Sequence, residues 1–163
     1  GAAGAIGGMV VQLCKHLGAV VTGTCSERNR DHVAALGCDR IVAYDKTDFE
    51  TAVSDQDVVI DLVGGNVHTR SYSVLRPGGV LVWLIAEAFD DRDVRQDIDV
   101  RQARIVDNHK ILNTVVDLTN AGHLRPLISQ VLPLDQAAEA HRILEARENT
   151  RGRLILDTQR ISA

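Results

Sequence analysis

The sequence lacks the features that mark membrane, secreted or metal-clustered proteins. It has no run of about 18 apolar residues, the length that a helix needs to cross a bilayer. It has no basic leader followed by a signal-peptide cleavage pattern. Its three cysteines, Cys14, Cys25 and Cys38, have no Cys-x-x-Cys spacing and no paired histidines. We therefore expect packing cysteines in a reducing, cytoplasmic compartment, with no metal ion and no membrane partner.

The sequence also lacks a strong charge of either sign. It has 163 residues, of which 25% are charged and 45% hydrophobic, which is ordinary usage for one globular domain. The formal net charge is -4 and the pI is about 5.8. A mildly acidic protein of this kind gives no reason to expect a nucleic acid as partner.

A third absence is a strand ahead of the first motif. The sequence opens on a glycine turn, residues 1–8, with the letters GAAGAIGG, and a helical apolar pattern follows over 5–17. Such a turn at the start of a helix offers free N–H groups and the positive end of the helix dipole to a phosphate. We interpret it as the pyrophosphate loop of a dinucleotide site, whose preceding strand we expect to be missing from this chain.

Strands and helices alternate through the rest of the first half. The pattern predicts strands over 19–24, 40–44, 58–63 and 80–85, and helices over 27–36, 48–53 and 66–75. Ser26 and Thr47 are the expected helix caps, and residues 76–79 are an expected turn. This alternation predicts an α/β fold with a doubly wound parallel sheet of the Rossmann type.

The second half continues less regularly after an acidic surface loop at 86–99. We predict strands over 100–106, 127–132 and 151–156, and helices over 108–120 and 136–147. We read the whole chain, 1–163, as one domain with a C-terminal extension over about 124–163. The helix at 108–120 is amphipathic, with a predicted inward face of Ile111, Leu112, Val115, Val116 and Leu118.

The end of the second strand indicates which dinucleotide binds. An NAD site usually has an acid there for the ribose 2′-hydroxyl, but this chain has Thr24, followed by Ser26 and Arg28. A hydroxyl and a guanidinium suit a 2′-phosphate, so we expect NADP(H). Tyr44 follows the third strand and is a candidate for the same phosphate. The alternatives are a solvated helix face for Arg28 and an edge tyrosine for Tyr44.

Several motifs in order carry a family resemblance, among them GAAGAIG, GTCS, DVVIDLVGG, LRPGGVLV, AGHLRP and TRGRLIL. Together they resemble the medium-chain dehydrogenase/reductase superfamily, and most of all its zinc-independent, NADPH-dependent quinone oxidoreductase branch. The resemblance covers nearly the whole chain and is weakest at 86–108. It implies an N-terminal catalytic domain of GroES-like fold, which is missing here together with the first strand of the Rossmann sheet. The C-terminal extension would pack back on that domain.

The resemblance also implies roles for individual residues. Ala3, Gly4, Ala5 and Ile6 would line the pyrophosphate. Ser26, Arg28 and Tyr44 would read the 2′-phosphate. Val63, Gly64, Ile85 and Ala86 would lie near the nicotinamide, and Arg153 would reach the cofactor. The chain departs from the family after Ala86, where Glu87, Ala88 and Phe89 replace the usual Gly and Pro.

The resulting expectation is hydride transfer from NADPH to a quinone, enone or similar carbonyl compound. The cofactor carries this chemistry, so no protein nucleophile is needed, and none of the six histidines forms an evident catalytic pair. Two alternatives stay open, a non-catalytic dinucleotide-binding or interaction module and a Rossmann domain for S-adenosylmethionine. A homodimer that extends a sheet through strand 80–85 or 127–132 is a further expectation.

Overall fold

Parallel strand pairs joined by helical crossovers make up the fold. The computed structural model describes residues 1–84, 95–104, 106, 108–146, 148–149 and 151–160. The helices are α1 Ala5–His16, α2 Arg30–Ala35, α3 Phe49–Ala52, α4 Asn66–Arg70, α5 His109–Asn120 and α6 Ala137–Glu145. The strands are β1 Thr22–Cys25, β2 Arg40–Ala43, β3 Gln56–Asp61, β4 Leu75–Trp83, β5 Asp99–Gln102, β6 Ile128–Pro133 and β7 Arg153–Asp157.

The strands of the described ranges form three sheets, in the orders β1-β2, β3-β4-β5 and β6-β7, and each pairing is parallel. Helices α2, α3 and α4 stand between successive strands from β1 to β4, as parallel pairing requires. The predicted α/β class with parallel strands is therefore confirmed. β1 and β3 do not pair with each other. In the doubly wound order, the strand that precedes the glycine turn lies between these two strands, so the lack of pairing is consistent with that order.

The core consists of small clusters of aliphatic side chains beside the strands. Val33 on α2 packs with Val11 and Cys25 beneath the glycine turn, and Leu81 on β4 packs with Tyr72 and Leu75. Val33 and Leu81 are both fully buried. The cysteines are free thiols, and burial raises the pKa of Cys38 to about 11. This environment suits a packing residue and not a nucleophile.

Both expected helix caps are wrong. Residues Glu27–Asn29 form a 3-10 turn, so α2 begins at Arg30, and Ser26 makes no side-chain capping bond. Thr47 lies one residue too early, because Asp48 is the N-cap of α3 and makes no capping bond either. The hydroxyl of Ser26 is instead part of a side-chain contact, described below.

The expected turn at 76–79 lies inside a strand. β4 runs from Leu75 through both glycines, with an irregular register opposite Gln56 and Val58. Gly78 adopts a φ of +74° there, and its N–H donates to Asp97 O. The Pro-Gly-Gly sequence thus produces a bulge rather than a strand end. Because β4 pairs with β3 on one side and β5 on the other, it has no free edge to extend a sheet across a dimer.

The predicted inward face of α5 is wrong. The helix forms, but none of its residues is buried. Its apolar residues that are more than a third exposed are Ile111, Leu112, Val115 and Val116. Periodicity identifies which residues share a helix face, whereas burial depends on whether another element covers that face.

The C-terminal segments pack on the first helix and its turn. Gln12 of α1 donates to Arg125 O at 3.1 Å and accepts from Arg125 N at 2.9 Å. Gly152 donates its N–H to Ala3 O at 3.3 Å, and Gly4 and Gly152 form a parallel bridge. Segments 124–127 and 151–153 are thereby attached to the glycine turn. The predicted packing of 124–163 on a catalytic domain stays a prediction.

The core assignment predicts a contrast between two leucines. Leu81→Ala removes a fully buried side chain and should lower the free energy of unfolding by about 2–5 kcal/mol. Leu112→Ala, on the exposed face of α5, should change it by no more than about 0.5 kcal/mol. Urea denaturation followed by circular dichroism measures both. Equal losses in the two variants would contradict the assigned core.

Candidate dinucleotide site

The glycine turn, the end of β1 and the loop that follows β3 lie together in the structure. The N–H of Ala2 donates to Thr24 O at 3.0 Å, which joins the glycine turn to the end of β1. A Cβ placed on Gly1 would lie 3.4 Å from Leu62 Cβ, in the loop that follows β3. The carboxyl ends of β1 and β3 therefore meet at the glycine turn, the edge at which α/β sheets bind ligands.

Close packing against the main chain requires glycine at one position of the turn, Gly7. A Cβ on Gly7 would lie 2.0 Å from Gly1 O. One on Gly8 would lie 2.1 Å from Leu127 Cδ1, so the end of that side chain would have to move aside. A Cβ on Gly4 would meet nothing closer than 3.5 Å, and the φ of Gly4 is an ordinary -72°. Gly4 therefore leaves space on the open side of the turn.

That open side is a cavity of about 400 Å³. Gly4, Ala5 and Ile6 line it at the start of α1, where a helix presents its free N–H groups and the positive end of its dipole. Arg153 lines the opposite wall and adds a guanidinium. A glycine cradle, a helix N-terminus and a cation are the features that a pyrophosphate needs, so the residues present fit that group.

Ala3 is the member of the predicted pyrophosphate set that does not line the cavity. Its side chain is buried in the core with Val11 and Val33, while its carbonyl accepts from Gly152. Gly152 has a φ of +57°, and a Cβ there would lie 2.4 Å from Leu127 O. Ala3 and Gly152 therefore shape the turn through their main chains. Leu62, Leu144, Asn149 and Leu154, which the sequence analysis did not single out, also line the cavity.

The predicted ribose-reading residues lie in and beside the 3-10 turn after β1. Ser26 is buried, and its Oγ accepts from Asn29 Nδ2 at 3.2 Å. Arg28 is exposed, and no hydrogen bond of its guanidinium to another described residue is found. Tyr44 is 59% exposed, but its N–H donates to Cys25 O at 3.0 Å, which brings the end of β2 beside the turn.

Two carboxylates that the sequence analysis did not consider, Glu27 and Asp45, lie at this turn. Glu27 bonds to Arg30 at 2.9 Å, and this hydrogen bond lowers the pKa of Glu27. Asp45, just after β2, accepts the N–H of Glu27 at 2.8 Å. Each carboxylate therefore already has a donor. Arg30 is engaged by Glu27. Arg28, by contrast, faces no carboxylate among the described residues.

A buried Asp–His pair organises the loop after β3. Asp61 Oδ1 accepts the N–H groups of Val63 at 2.9 Å and Gly64 at 3.0 Å. Asp61 Oδ2 lies 2.8 Å from His68 Nδ1, and both side chains are 1% exposed. Gly64 has a φ of +78°, which explains the glycine at that position. Asp61 thus positions Val63 and Gly64, the predicted nicotinamide-side pair.

The sequence analysis did not single out His68 among the six histidines. The ring is in fact buried on α4 and packs edge-on against Tyr72 and Trp83. The available signal was Asp61, a carboxylate that ends an apolar strand and therefore requires internal partners. Ile85 and Ala86, the other predicted nicotinamide-side residues, lie outside the described residues.

Candidate metal ligands do not cluster in the part of the chain that the structure describes, where no three His, Cys, Asp or Glu side chains come together. None of the described helices has the length and apolarity to cross a membrane.

Removing the Asp61 carboxylate should destabilise the protein strongly. Asp61→Ala leaves two main-chain N–H groups and the bond from His68 unsatisfied in a buried site, and should cost about 3–5 kcal/mol of unfolding free energy. Asp61→Asn keeps an acceptor for the two N–H groups and should cost less. Urea denaturation measures both variants. Equal, small losses would mean that the carboxylate does not hold the loop.

Comparison with known proteins identifies relatives over nearly the whole chain. A sequence profile of zinc-binding dehydrogenases matches residues 36–156. The 2-haloacrylate reductase of Burkholderia sp is 29% identical over 95% of this chain and 53% of that protein. The mitochondrial NAD(P)H oxidoreductase RTN4IP1 of Mus musculus is 25% identical over 96% of this chain and 46% of that protein.

Structural comparison agrees with the sequence matches. The quinone oxidoreductase from Coxiella burnetii has a TM-score of 0.83 and 29% identity, over 94% of this chain and 50% of that one. The chain spans about half the length of the curated relatives it matches. Because the profile covers most of the chain, the protein belongs to the zinc-binding dehydrogenase family, within the medium-chain dehydrogenase/reductase superfamily.

Proposed function

We propose that the chain is the NADP(H)-binding part of an oxidoreductase that transfers hydride to a quinone, enone or similar carbonyl compound. The observation that carries the proposal is the convergence of the glycine cradle, Arg153 and the ribose turn at one sheet edge. The cavity accounts for a pyrophosphate, and the turn with Ser26 and Arg28 accounts for a 2′-phosphate. The loop held by Asp61 accounts for the nicotinamide side.

Cofactor position follows from these contacts. A dinucleotide that lies along the edge would place its adenosine end at Ser26, Arg28 and Tyr44 and its nicotinamide end at Val63 and Gly64. NADPH supplies the hydride, while the protein orients the nicotinamide and keeps water away from it. The named relatives support the reaction class, since they include a 2-haloacrylate reductase, a quinone oxidoreductase and an NAD(P)H oxidoreductase.

Preference for the phosphorylated dinucleotide is supported by the hydrogen bonds of the turn. Glu27 and Asp45 are engaged by Arg30 and by a main-chain N–H, whereas Arg28 faces no carboxylate in the part of the chain that the structure describes. Asp45, which accepts the N–H of Glu27, nevertheless adds a carboxylate beside this turn, and a carboxylate there would favour NAD(H) as the competing cofactor. Direct titration therefore has to decide between the two dinucleotides.

Zinc independence, a cytoplasmic location and a small-molecule substrate complete the proposal. The free cysteines support a reducing compartment, although RTN4IP1, one of the relatives, is mitochondrial. A homodimer stays a prediction, and of the two strands first considered only β6, which pairs on one side with β7, still offers an edge among the described strands.

A non-catalytic dinucleotide-binding module is the second candidate. It is favoured by the exposed apolar face of α5. Such a module would bind NADPH without turnover.

An NADPH oxidation assay with a panel of quinones and enones separates the two candidates. The assay should be run on this chain and on a longer chain that includes the sequence encoded upstream of Gly1. We expect turnover by the longer chain. Turnover by the short chain alone would eliminate the module. Turnover by neither would contradict the oxidoreductase.

Replacing Arg28 should separate the two dinucleotides. Arg28→Ala removes one charge-assisted hydrogen bond to a 2′-phosphate. It should weaken the binding of NADPH by about 1–3 kcal/mol, while the binding of NADH changes little. Calorimetric titration with NADPH, NADH and S-adenosylmethionine measures this. Tighter binding of NADH than of NADPH by the unmodified chain would overturn the 2′-phosphate assignment.

A further inference from the structure

Arg151 connects the C-terminal segment to the ribose turn. Its Nε donates to Asn29 Oδ1 at 2.7 Å, and its Nη2 donates to Arg28 O at 2.8 Å. These bonds span more than 120 positions of sequence and end on the two residues that follow Glu27 in the turn. Sequence analysis singled out Arg153 but not Arg151, because a surface arginine beside a glycine has no distinguishing pattern.

The two bonds fix the orientation of a buried amide. Asn29 is only 4% exposed, and a guanidinium has donors but no acceptor. The oxygen of the Asn29 amide must therefore face Arg151, and its nitrogen must face the other way. That nitrogen donates to Ser26 Oγ at 3.2 Å.

The amide in turn fixes the polarity of the Ser26 hydroxyl. Because Oγ accepts a hydrogen bond from Asn29, the hydroxyl proton is left to act as a donor. An amide turned the other way would present its oxygen to Ser26 and take that proton. A hydroxyl at the ribose position binds an anionic 2′-phosphate only when it can donate to it.

We propose that Arg151 is a positioning residue for the cofactor 2′-phosphate, acting through Asn29 to keep the Ser26 hydroxyl as a donor. This inference rests on the proposed function, since it assumes that the ribose turn binds a 2′-phosphorylated nucleotide. The bond to Arg28 O holds the same turn in place, so Arg151 supports both predicted phosphate ligands without being one of them.

The surrounding charges agree with this role. Burial, followed by the positive charge of Arg151, lowers the pKa of His32 on α2. Arg151 therefore lies close enough to His32 to disfavour a second positive charge there. No carboxylate among the described residues bonds to Arg151, so its two contacts to Asn29 and the main chain are not competing with an ion pair.

The experiment uses nucleotides without a nicotinamide, so that the adenosine end is tested by itself. The full chain is titrated calorimetrically with 2′,5′-ADP and with 5′-AMP. Arg151→Met should lower the affinity for 2′,5′-ADP about tenfold, which is the effect of one charge-assisted hydrogen bond. The affinity for 5′-AMP should change by less than about twofold. Arg40→Met is the matched control, an exposed arginine at the other end of β2, and should leave both affinities unchanged.

The relay is tested by combining variants. The affinity for 2′,5′-ADP should fall in Ser26→Ala, and Arg151→Met added to it should cause a smaller further loss than Arg151→Met causes alone, because part of its effect passes through the same hydroxyl. Arg151→Lys, which keeps the charge but cannot make both bonds, should recover only part of the affinity. Additive losses, or full recovery with lysine, would overturn the relay. Equal weakening of both nucleotides by Arg151→Met would also overturn it.

Failure of the proposed cofactor looks different from failure of the relay. Binding of neither nucleotide by the unmodified chain, or equal binding of both, would reject the 2′-phosphate site and the relay with it. If the unmodified chain prefers 2′,5′-ADP and Arg151→Met keeps that preference undiminished, the relay alone is rejected. The cofactor assignment then stays in place.

Discussion

Close contact between the glycine turn and the segments around it is the constraint on which the site depends. There is no room for a Cβ at Gly7, beside the main chain of Gly1, and a Cβ at Gly8 would displace the end of the Leu127 side chain. Both contacts allow α1 to start directly above the ends of β1 and β3, so its N-terminus faces the cavity. Gly152 continues the same constraint from the C-terminal side. A side chain at Gly7 or Gly152 would meet main-chain atoms and would fit only if the backbone moved.

The segments that meet at this edge come from distant parts of the chain. The glycine turn is at the start, the Asp61 loop lies in the middle, and Gly152 and Arg153 belong to the last strand region. Each supplies something that the others cannot: main-chain N–H groups, a rigid loop, and positive charge. The C-terminal region is therefore part of the candidate site.

Local patterns predicted the elements well and their partners less well. The four strands of the first half and helix α5 were located from β-branched runs and helical spacing, because those signals depend on nearby residues. The exposure of α5, the bulge at Gly78 and the 3-10 turn after Ser26 depend on residues elsewhere in the chain, so periodicity had no information about them. The same holds for Asn29, His68 and Arg151, whose roles arise from contacts over 3, 7 and more than 120 positions.

Cofactor preference at such a turn depends more on which side chains already have hydrogen-bond partners than on the number of charges. At physiological ionic strength, exposed charges are screened over about 8 Å, so groups beyond direct contact with the ribose contribute little. Within contact distance, Glu27 is neutralised by Arg30 and Asp45 is occupied by a main-chain N–H. Arg28 faces no carboxylate among the described side chains, and the Ser26 hydroxyl accepts from Asn29. Arg28 and the Ser26 hydroxyl are therefore the two groups of this turn that we propose as donors to a 2′-phosphate.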